Sequence, residues 1–408
     1  MRALVADLST ARAAWTAAAL RVRHDAAWRR GGVLRMEELP TPRLPGPGWV
    51  RMRPTAAGIC GSDLKLLHVT GFSPLLTAYN PNVRAVLGHE VAGVVEELAP
   101  GTRGVAEGDR VLLEPTLWCR HKGLPECARC RAGEGHLCEN LSRAGSACAG
   151  QGVGFCVDLG GGWSDAVVAP VDMLVPATGV PPQREVLAEP HAVALHAALR
   201  WRRTGDRVAV IGPGTIGLLT VASLRRLHPD LDISVVGAPS ASDQPFGTAQ
   251  ALAAGADRVW SVPPSQVLEL AAAHAGAHPL RPRIGRLPVL DGGLDAVFDC
   301  IATASTIDLG LRLLRARGTL VLVGAAGRQR VDWSLVWWRE LSVLGSVVYG
   351  READGARTME TVRDWLADPA HPIDMVITHR YGLHRWTEAL ETAAAGPRAG
   401  AIKVVLEP

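Results

Sequence analysis

The most constraining feature of this 408-residue chain is the passage from a largely apolar run, Arg207-Val208-Ala209-Val210-Ile211, into Gly212-Pro213-Gly214-Thr215-Ile216-Gly217 and then a helical pattern reaching Leu227. A Gly-x-Gly-x-x-Gly triplet alone says little. Between a strand and a helix, its glycines permit a tight turn, close backbone approach to a pyrophosphate, and close packing of helix on strand. Further apolar segments at 233–236, 296–299 and 319–323 alternate with helical spacers, so the repeat is β-α-β and the sheet it builds is parallel. The expectation is an α/β chain with a doubly wound parallel-sheet domain over residues 187–338.

The length fits two or three domains. Residues 1–186 read differently from the rest of the chain, as short alternating segments broken by Gly and Pro, the texture of an irregular β domain. Residues 339–408 hold a helix near 358–366, a strand near 376–381, a helix near 383–395 and a terminal strand at 401–406, and this tail is expected to rejoin the first domain. Stretches 9–32 and 277–291 read as surface insertions. The cluster Trp333, Trp337, Trp338 is read as core packing or a subunit interface in preference to a substrate box.

Composition excludes several classes. Forty-three Lys and Arg against 40 Asp and Glu leave +3, too little for a dedicated nucleic-acid surface. No apolar run approaches the roughly 18 residues of a membrane span. Asp7 and Arg12 interrupt the one stretch that resembles a secretion signal, so the expected compartment is the cytoplasm. Eight cysteines are too few for a disulfide scaffold. Four of them, Cys119, Cys127, Cys130 and Cys138, are bunched on one charged, Gly-containing loop (lobe 115–140), which points to a tetrahedral Zn2+ with all four positions closed, hence structural.

A second constellation is scattered. Gly58-Ile59-Cys60-Gly61-Ser62-Asp63 places a thiol just after a strand, Gly88-His89-Glu90 places an imidazole and a carboxylate at the start of the next, and Glu189-Pro190 sets a carboxylate at the head of a helix. Alone, Cys60 reads as a buried thiol and His89 as a core histidine. Together, one thiolate, one imidazole and one or two carboxylates form a mixed set that holds zinc and leaves a position open. About 20 residues past Gly217, where an acid would bind an adenosine ribose, the chain reads Val236-Gly237-Ala238. That gap leaves both NAD and NADP open and tilts the reading to NADP. No Arg stands between Gly237 and Gly247 to hold a 2′-phosphate, and Ser240 and Ser242 are the hydroxyl donors available instead.

In their order along the chain, these motifs and the closing Ala401-Ile402-Lys403-Val404-Val405 resemble the zinc-containing medium-chain dehydrogenase/reductase superfamily of alcohol, sorbitol and threonine dehydrogenases, over nearly the whole length outside the two insertions. The resemblance implies a GroES-like catalytic domain with a Rossmann domain, and two Zn2+ per chain. It implies Cys60 and His89 as catalytic zinc ligands, with Glu90 and Glu189 completing the shell, and Ser62 as the proton relay beside the reacting oxygen. Gly212, Gly214, Thr215, Ile216, Gly217, Gly237, Ser240, Val323 and Gly324 would bind the dinucleotide. The substrate would be a small-molecule alcohol or ketone, and the protein a homodimer or homotetramer built through an apolar edge at 341–348. Two departures stand out: Lys65 occupies the place where many members carry the histidine that ends the relay, and seven residues rather than two separate Cys119 from Cys127. The alternatives are an NADPH-dependent reductase of an activated double bond or imine, and a catalytically silent nucleotide-binding protein.

Overall fold

A computed structural model describes residues 1–408 except 70–77, 146–148 and 286. The chain divides into two compact units, one of Met1–Glu189, Tyr349–Pro369 and Ile377–Pro408, the other of Pro190–Val348 and Ala370–Val376.

The second unit is built on six parallel strands in the order Arg258–Trp260, Asp232–Val236, Arg207–Ile211, Leu294–Asp299, Leu314–Leu322, Ser342–Gly345. By position in the sequence this is 3-2-1-4-5-6, the doubly wound arrangement whose ligand crevice lies where the strand order reverses. The inner strands are mostly apolar where they pair, as in Val208–Ile211, Ile233–Val236 and Ala296–Phe298, because helices cover both faces of such a sheet. Val208 lies opposite Ile233 on one side and Ala296 on the other, and all three are fully buried. Gly212 turns the chain with φ +99°, and a Cβ on Gly217 would come within 1.8 Å of the Gly212 carbonyl oxygen. Any side chain at 217 would therefore force the helix Thr215–Leu227 away from its strand.

The first unit carries a seven-stranded sheet in the order Ile377–Gly382, Lys403–Glu407, Trp49–Gly58, Val91–Leu98, Arg110–Leu113, Leu174–Pro176, with Val167–Pro170 also pairing with Trp49–Gly58. The last strand of the chain lies antiparallel to Trp49–Gly58, with Val405 opposite Gly58. A three-stranded sheet, Leu34–Glu38, Arg2–Asp7, Arg84–Val86, completes this unit's β structure. Among the described residues, no helix is long and apolar enough to cross a membrane.

The structure refines three expectations. Segment 9–32 is a surface excursion only in part: the helix Thr10–Ala19 is largely exposed or half-buried, but in the short buried turn Ala26–Trp28 that follows, Ala27 and Trp28 join the same cluster as Ile59 and Leu67, with Leu64 and Leu66 packed against it. The polar sequence hides this because Asp25, though buried, takes hydrogen bonds from both Arg23 and Arg29. Segment 277–291 is an antiparallel hairpin, His278–Leu280 with Val289–Asp291, whose Leu290 is buried while 281–285 is exposed. The tryptophans are not core residues. Trp333, Trp337 and Trp338 are 49%, 77% and 74% exposed, on or beside the short helix Ser334–Trp338 that precedes the open edge strand Ser342–Gly345.

Trp28→Ala should therefore cost about 3–5 kcal/mol in chemical denaturation, as for truncation of a buried aromatic residue. A loss under about 0.5 kcal/mol would return the segment to the surface.

Candidate metal centre and dinucleotide turn

The strand Trp49–Gly58 ends against a carboxylate: a Cβ on Gly58 would fall 1.7 Å from Glu90 Oε2. Glycine there lets the chain pass the carboxylate and run on to Cys60, which caps the helix Gly61–Leu67. Asp63, three residues later, closes a capping box, its Oδ2 accepting the Cys60 backbone N–H at 2.9 Å. Its other oxygen faces His89 Nδ1 at 3.3 Å. A carboxylate on one imidazole nitrogen fixes tautomer and ring orientation and leaves Nε2 to act as the donor. Burial works against a charged His89, but Asp63 and Cys60 outweigh it and hold the imidazole well above its usual range. The Phe155 ring stacks on His89 with centroids 5.2 Å apart.

Donor atoms of Cys60, His89 and Glu90 all lie within 4.8 Å of one another. Three motifs separated along the sequence thus converge as a thiol, an imidazole and a carboxylate. Glu189 differs from its expected place. It is buried at the head of the helix Ala188–Arg200 but stands outside that three-residue set. Burial pushes its carboxyl up to about 7, with His89 pulling it down and Glu90 pushing it further up. Glu90 is not simply a ligand in waiting, because Lys403 Nζ spans its two oxygens at 2.7 and 2.6 Å and also donates to the Ile59 carbonyl at 3.2 Å. Burial lowers the Lys403 ammonium, and Glu90 more than restores it. Ser62 and Lys65 are both half-buried on the helix that Cys60 caps.

In the lobe, the sulfurs of Cys119, Cys127, Cys130 and Cys138 likewise lie within 4.8 Å of one another. Backbone N–H groups of Cys130 and Glu139 point at Cys127 Sγ, that of Asn140 at Cys138 Sγ, and the Asn140 side-chain amide at Cys119 Sγ, all at 3.3–3.4 Å. Donors aimed at sulfur favour thiolates: the Cys127 thiol falls to about 7, whereas burial pushes the Cys138 thiol up to about 11 and raises Cys130 further. Four convergent soft donors fit tetrahedral zinc. The long Cys119-to-Cys127 loop closes because Arg120–Lys122 forms a 3-10 turn ended by Gly123 at φ +64°, while fully buried Lys122 donates to the Leu141 and Gly150 carbonyls at 2.7 and 2.9 Å.

In the second unit, Gly214 caps the helix Thr215–Leu227, is exposed, and a Cβ there would meet nothing within 4 Å. Its backbone thus opens onto space at a helix N-terminus, where a pyrophosphate would be held. Thr215 and Ile216 are half-buried beside it, as are Val323 and Gly324 just past the strand Leu314–Leu322, whose N–H groups both reach the Asp299 carbonyl at 3.0 Å. Gly237 follows the strand Asp232–Val236, and Ser240 is exposed on the loop beyond it. Asp299 is an addition. Its Oδ1 takes the Ile301 and Ala302 N–H groups, shaping a turn with Ala302 at φ +58° that sets Ile301 against Gly212.

The residues that sequence reasoning passed over had signals of different strength. Asp63 stands at the capping-box spacing after Cys60. Lys403 is a lone lysine in an otherwise apolar strand. Phe155 carries no motif at all.

Comparison with known proteins places residues 46–181 in the alcohol dehydrogenase GroES-like domain and 216–368 in the zinc-binding dehydrogenase domain. L-threonine 3-dehydrogenase of Pyrococcus furiosus is 28% identical over 370 residues, covering 88% of this chain and 91% of that one. Erythritol/L-threitol dehydrogenase of Mycolicibacterium smegmatis is 29% identical over 387 residues, covering 92% and 94%. Among solved structures, a protein of Sinorhizobium meliloti described as a zinc-binding dehydrogenase, bound to NADP, is 28% identical with a TM-score of 0.67, covering 92% of this chain and 95% of that one.

Two outcomes test this geometry. Cys130→Ser should lower bound zinc by about one per chain in metal analysis while leaving a second zinc in place; an unchanged content would dissolve the lobe site. Lys403→Met should cost about 3–5 kcal/mol in urea unfolding by stranding the buried Glu90 charge. Lys403→Met with Glu90→Gln should recover most of that loss, and a stable single variant would show that the pair does not carry the contact.

Proposed function

Because the chain belongs to the zinc-containing medium-chain dehydrogenase/reductase superfamily, as an alcohol dehydrogenase-like oxidoreductase of the NAD(P)-dependent kind, we propose that it interconverts an alcohol and the matching carbonyl compound reversibly, with one catalytic and one structural zinc per chain. The observation that carries this reading is the set of Cys60, His89 and Glu90 donor atoms within 4.8 Å. The substrate we favour is a polyol, sugar-like compound or secondary alcohol, supported by relatives whose names specify L-threonine and erythritol/L-threitol.

Zinc, when bound, supplies Lewis acidity that lowers the pKa of a substrate hydroxyl. The protein's part is to hold and orient. Cys60 and His89 contribute the sulfur and nitrogen donors, while Asp63 fixes the imidazole through Nδ1. Lys403 keeps the Glu90 carboxylate neutralised at the edge of the set. Glu189 is the remaining nearby acid, available as an exchangeable partner. Ser62, two residues after Cys60, is the hydroxyl assigned to move the substrate proton outward, and Lys65, half-buried on the same helix, is the residue that would end that path. Gly212, Gly214 and Gly217, at the N-terminus of the helix Thr215–Leu227, would hold the pyrophosphate of a dinucleotide, which when bound would supply the hydride acceptor or donor. NADP is the favoured form, supported by the missing acid at Gly237 and by the NADP-bound relative.

The edge strand Ser342–Gly345, paired on one side only among the described residues, and the exposed Trp337 and Trp338 support assembly into a homo-oligomer, since large exposed apolar patches mark contact surfaces.

The test is metal analysis coupled to turnover on a panel of polyols and secondary alcohols. The wild type should hold two zinc ions per chain. Cys60→Ala should keep one and lose turnover by on the order of 10³-fold, the worth of several kcal/mol of Lewis-acid stabilisation. A wild type holding a single zinc would contradict the reading.

A further inference from the structure

The adenosine end of the dinucleotide site has an unusual floor. Gly237 stands where a ribose-binding acid would be, and a Cβ built on it would lie 2.6 Å from Ser261 Oγ and 3.7 Å from Pro213 Cγ. Ser261 follows the strand Arg258–Trp260, the neighbour of Asp232–Val236, and the two strand ends are tied by Gly237 N–H to the Trp260 carbonyl at 2.9 Å and Ser240 N–H to the Ser261 carbonyl at 3.0 Å. The Ser261 side chain is 92% buried by its relative exposure of 8%, yet its hydroxyl has no hydrogen-bond partner among the described residues. A buried hydroxyl without a partner is costly unless something supplies one.

Its neighbours set the chemistry. Ser240 Oγ accepts the Ser242 N–H and Ser242 Oγ accepts the Gln244 N–H, both at 3.1 Å, so each keeps an O–H to donate. Asp243, the one carboxylate between 237 and 247, is exposed. The loop beyond the strand Asp232–Val236 therefore presents hydroxyl donors with no acid at position 237 itself, where Ser261 fills the space that an acidic side chain would need.

We propose that Ser261 is the residue that sets cofactor choice: its hydroxyl donates to the 2′-phosphate of NADP, and the same hydroxyl keeps position 237 a glycine. This rests on the reading of this unit as dinucleotide-binding. Specificity then comes from the absence of a carboxylate at position 237 together with a charge-assisted hydrogen bond, without an arginine.

The test is fluorescence titration of the full-length protein with NADPH and with NADH, and displacement of NADPH by 2′,5′-ADP. The wild type should bind both nucleotides, NADPH the more tightly. Ser261→Ala should weaken NADPH and 2′,5′-ADP by about tenfold to a hundredfold, the worth of one hydrogen bond to a charged group, and move NADH little. Gly237→Asp alone should weaken both nucleotides, because the new side chain meets Ser261. Gly237→Asp with Ser261→Gly should restore NADH and leave NADPH weak. An unchanged NADPH-to-NADH ratio in Ser261→Ala, or a shift produced by Asp243→Asn instead, overturns the assignment while leaving the dinucleotide site intact. A wild type that binds neither nucleotide overturns the underlying reading.

Discussion

The ammonium of Lys403, lying across both oxygens of Glu90, joins the last strand of the chain to the residues that gather around Cys60. Both groups are almost wholly buried, so each alone would bear a large desolvation penalty, and their mutual contact is what makes either tolerable. The third bond of the ammonium, to the Ile59 carbonyl, lands one residue before Cys60. One side chain thus fixes the carboxylate beside the metal set, the backbone that delivers the thiol, and the strand pairing of Val405 with Gly58. The chain has only three lysines, and two of them are buried: Lys403 across a carboxylate, and Lys122 between the Leu141 and Gly150 carbonyls.

The same economy governs the metal residues. Asp63 both caps the helix that begins after Cys60 and faces His89, so the fold of one short helix and the orientation of one imidazole depend on a single carboxylate. In the lobe, the thiol of Cys127 caps the turn that carries Cys130. Local structure and donor geometry are specified together, which is how ligands distant in sequence come to share one point.

Much of this was legible from the residues. The doubly wound sheet followed from apolar strands alternating with helices, because both faces of such strands are covered and the pattern is unmistakable. Cysteine spacing made the lobe readable, and the strand-turn-helix context made the glycine turn readable. What stayed hidden depends on contacts across long sequence separations. Nothing in the segment 9–32 announces that Trp28 enters the core, since its flanks are charged and the arginines there are spent on Asp25. Glu90 and Glu189 were equivalent acids in the sequence. The fold separates them by giving Lys403 to one and leaving the other buried without an ion pair among the described residues. The tryptophans stayed ambiguous because an aromatic cluster looks the same whether it fills a core or awaits a neighbour.

The central claim is that a thiol, an imidazole and a carboxylate from three separate motifs constitute an open-sided zinc site. Anomalous diffraction at the zinc absorption edge, from crystals of the purified protein, tests it most directly. The account predicts two peaks per chain, one about 2.3 Å from each of Cys119, Cys127, Cys130 and Cys138, the other bonded to Cys60 Sγ and His89 Nε2. A strong peak in the lobe with none between Cys60 and His89 would contradict it.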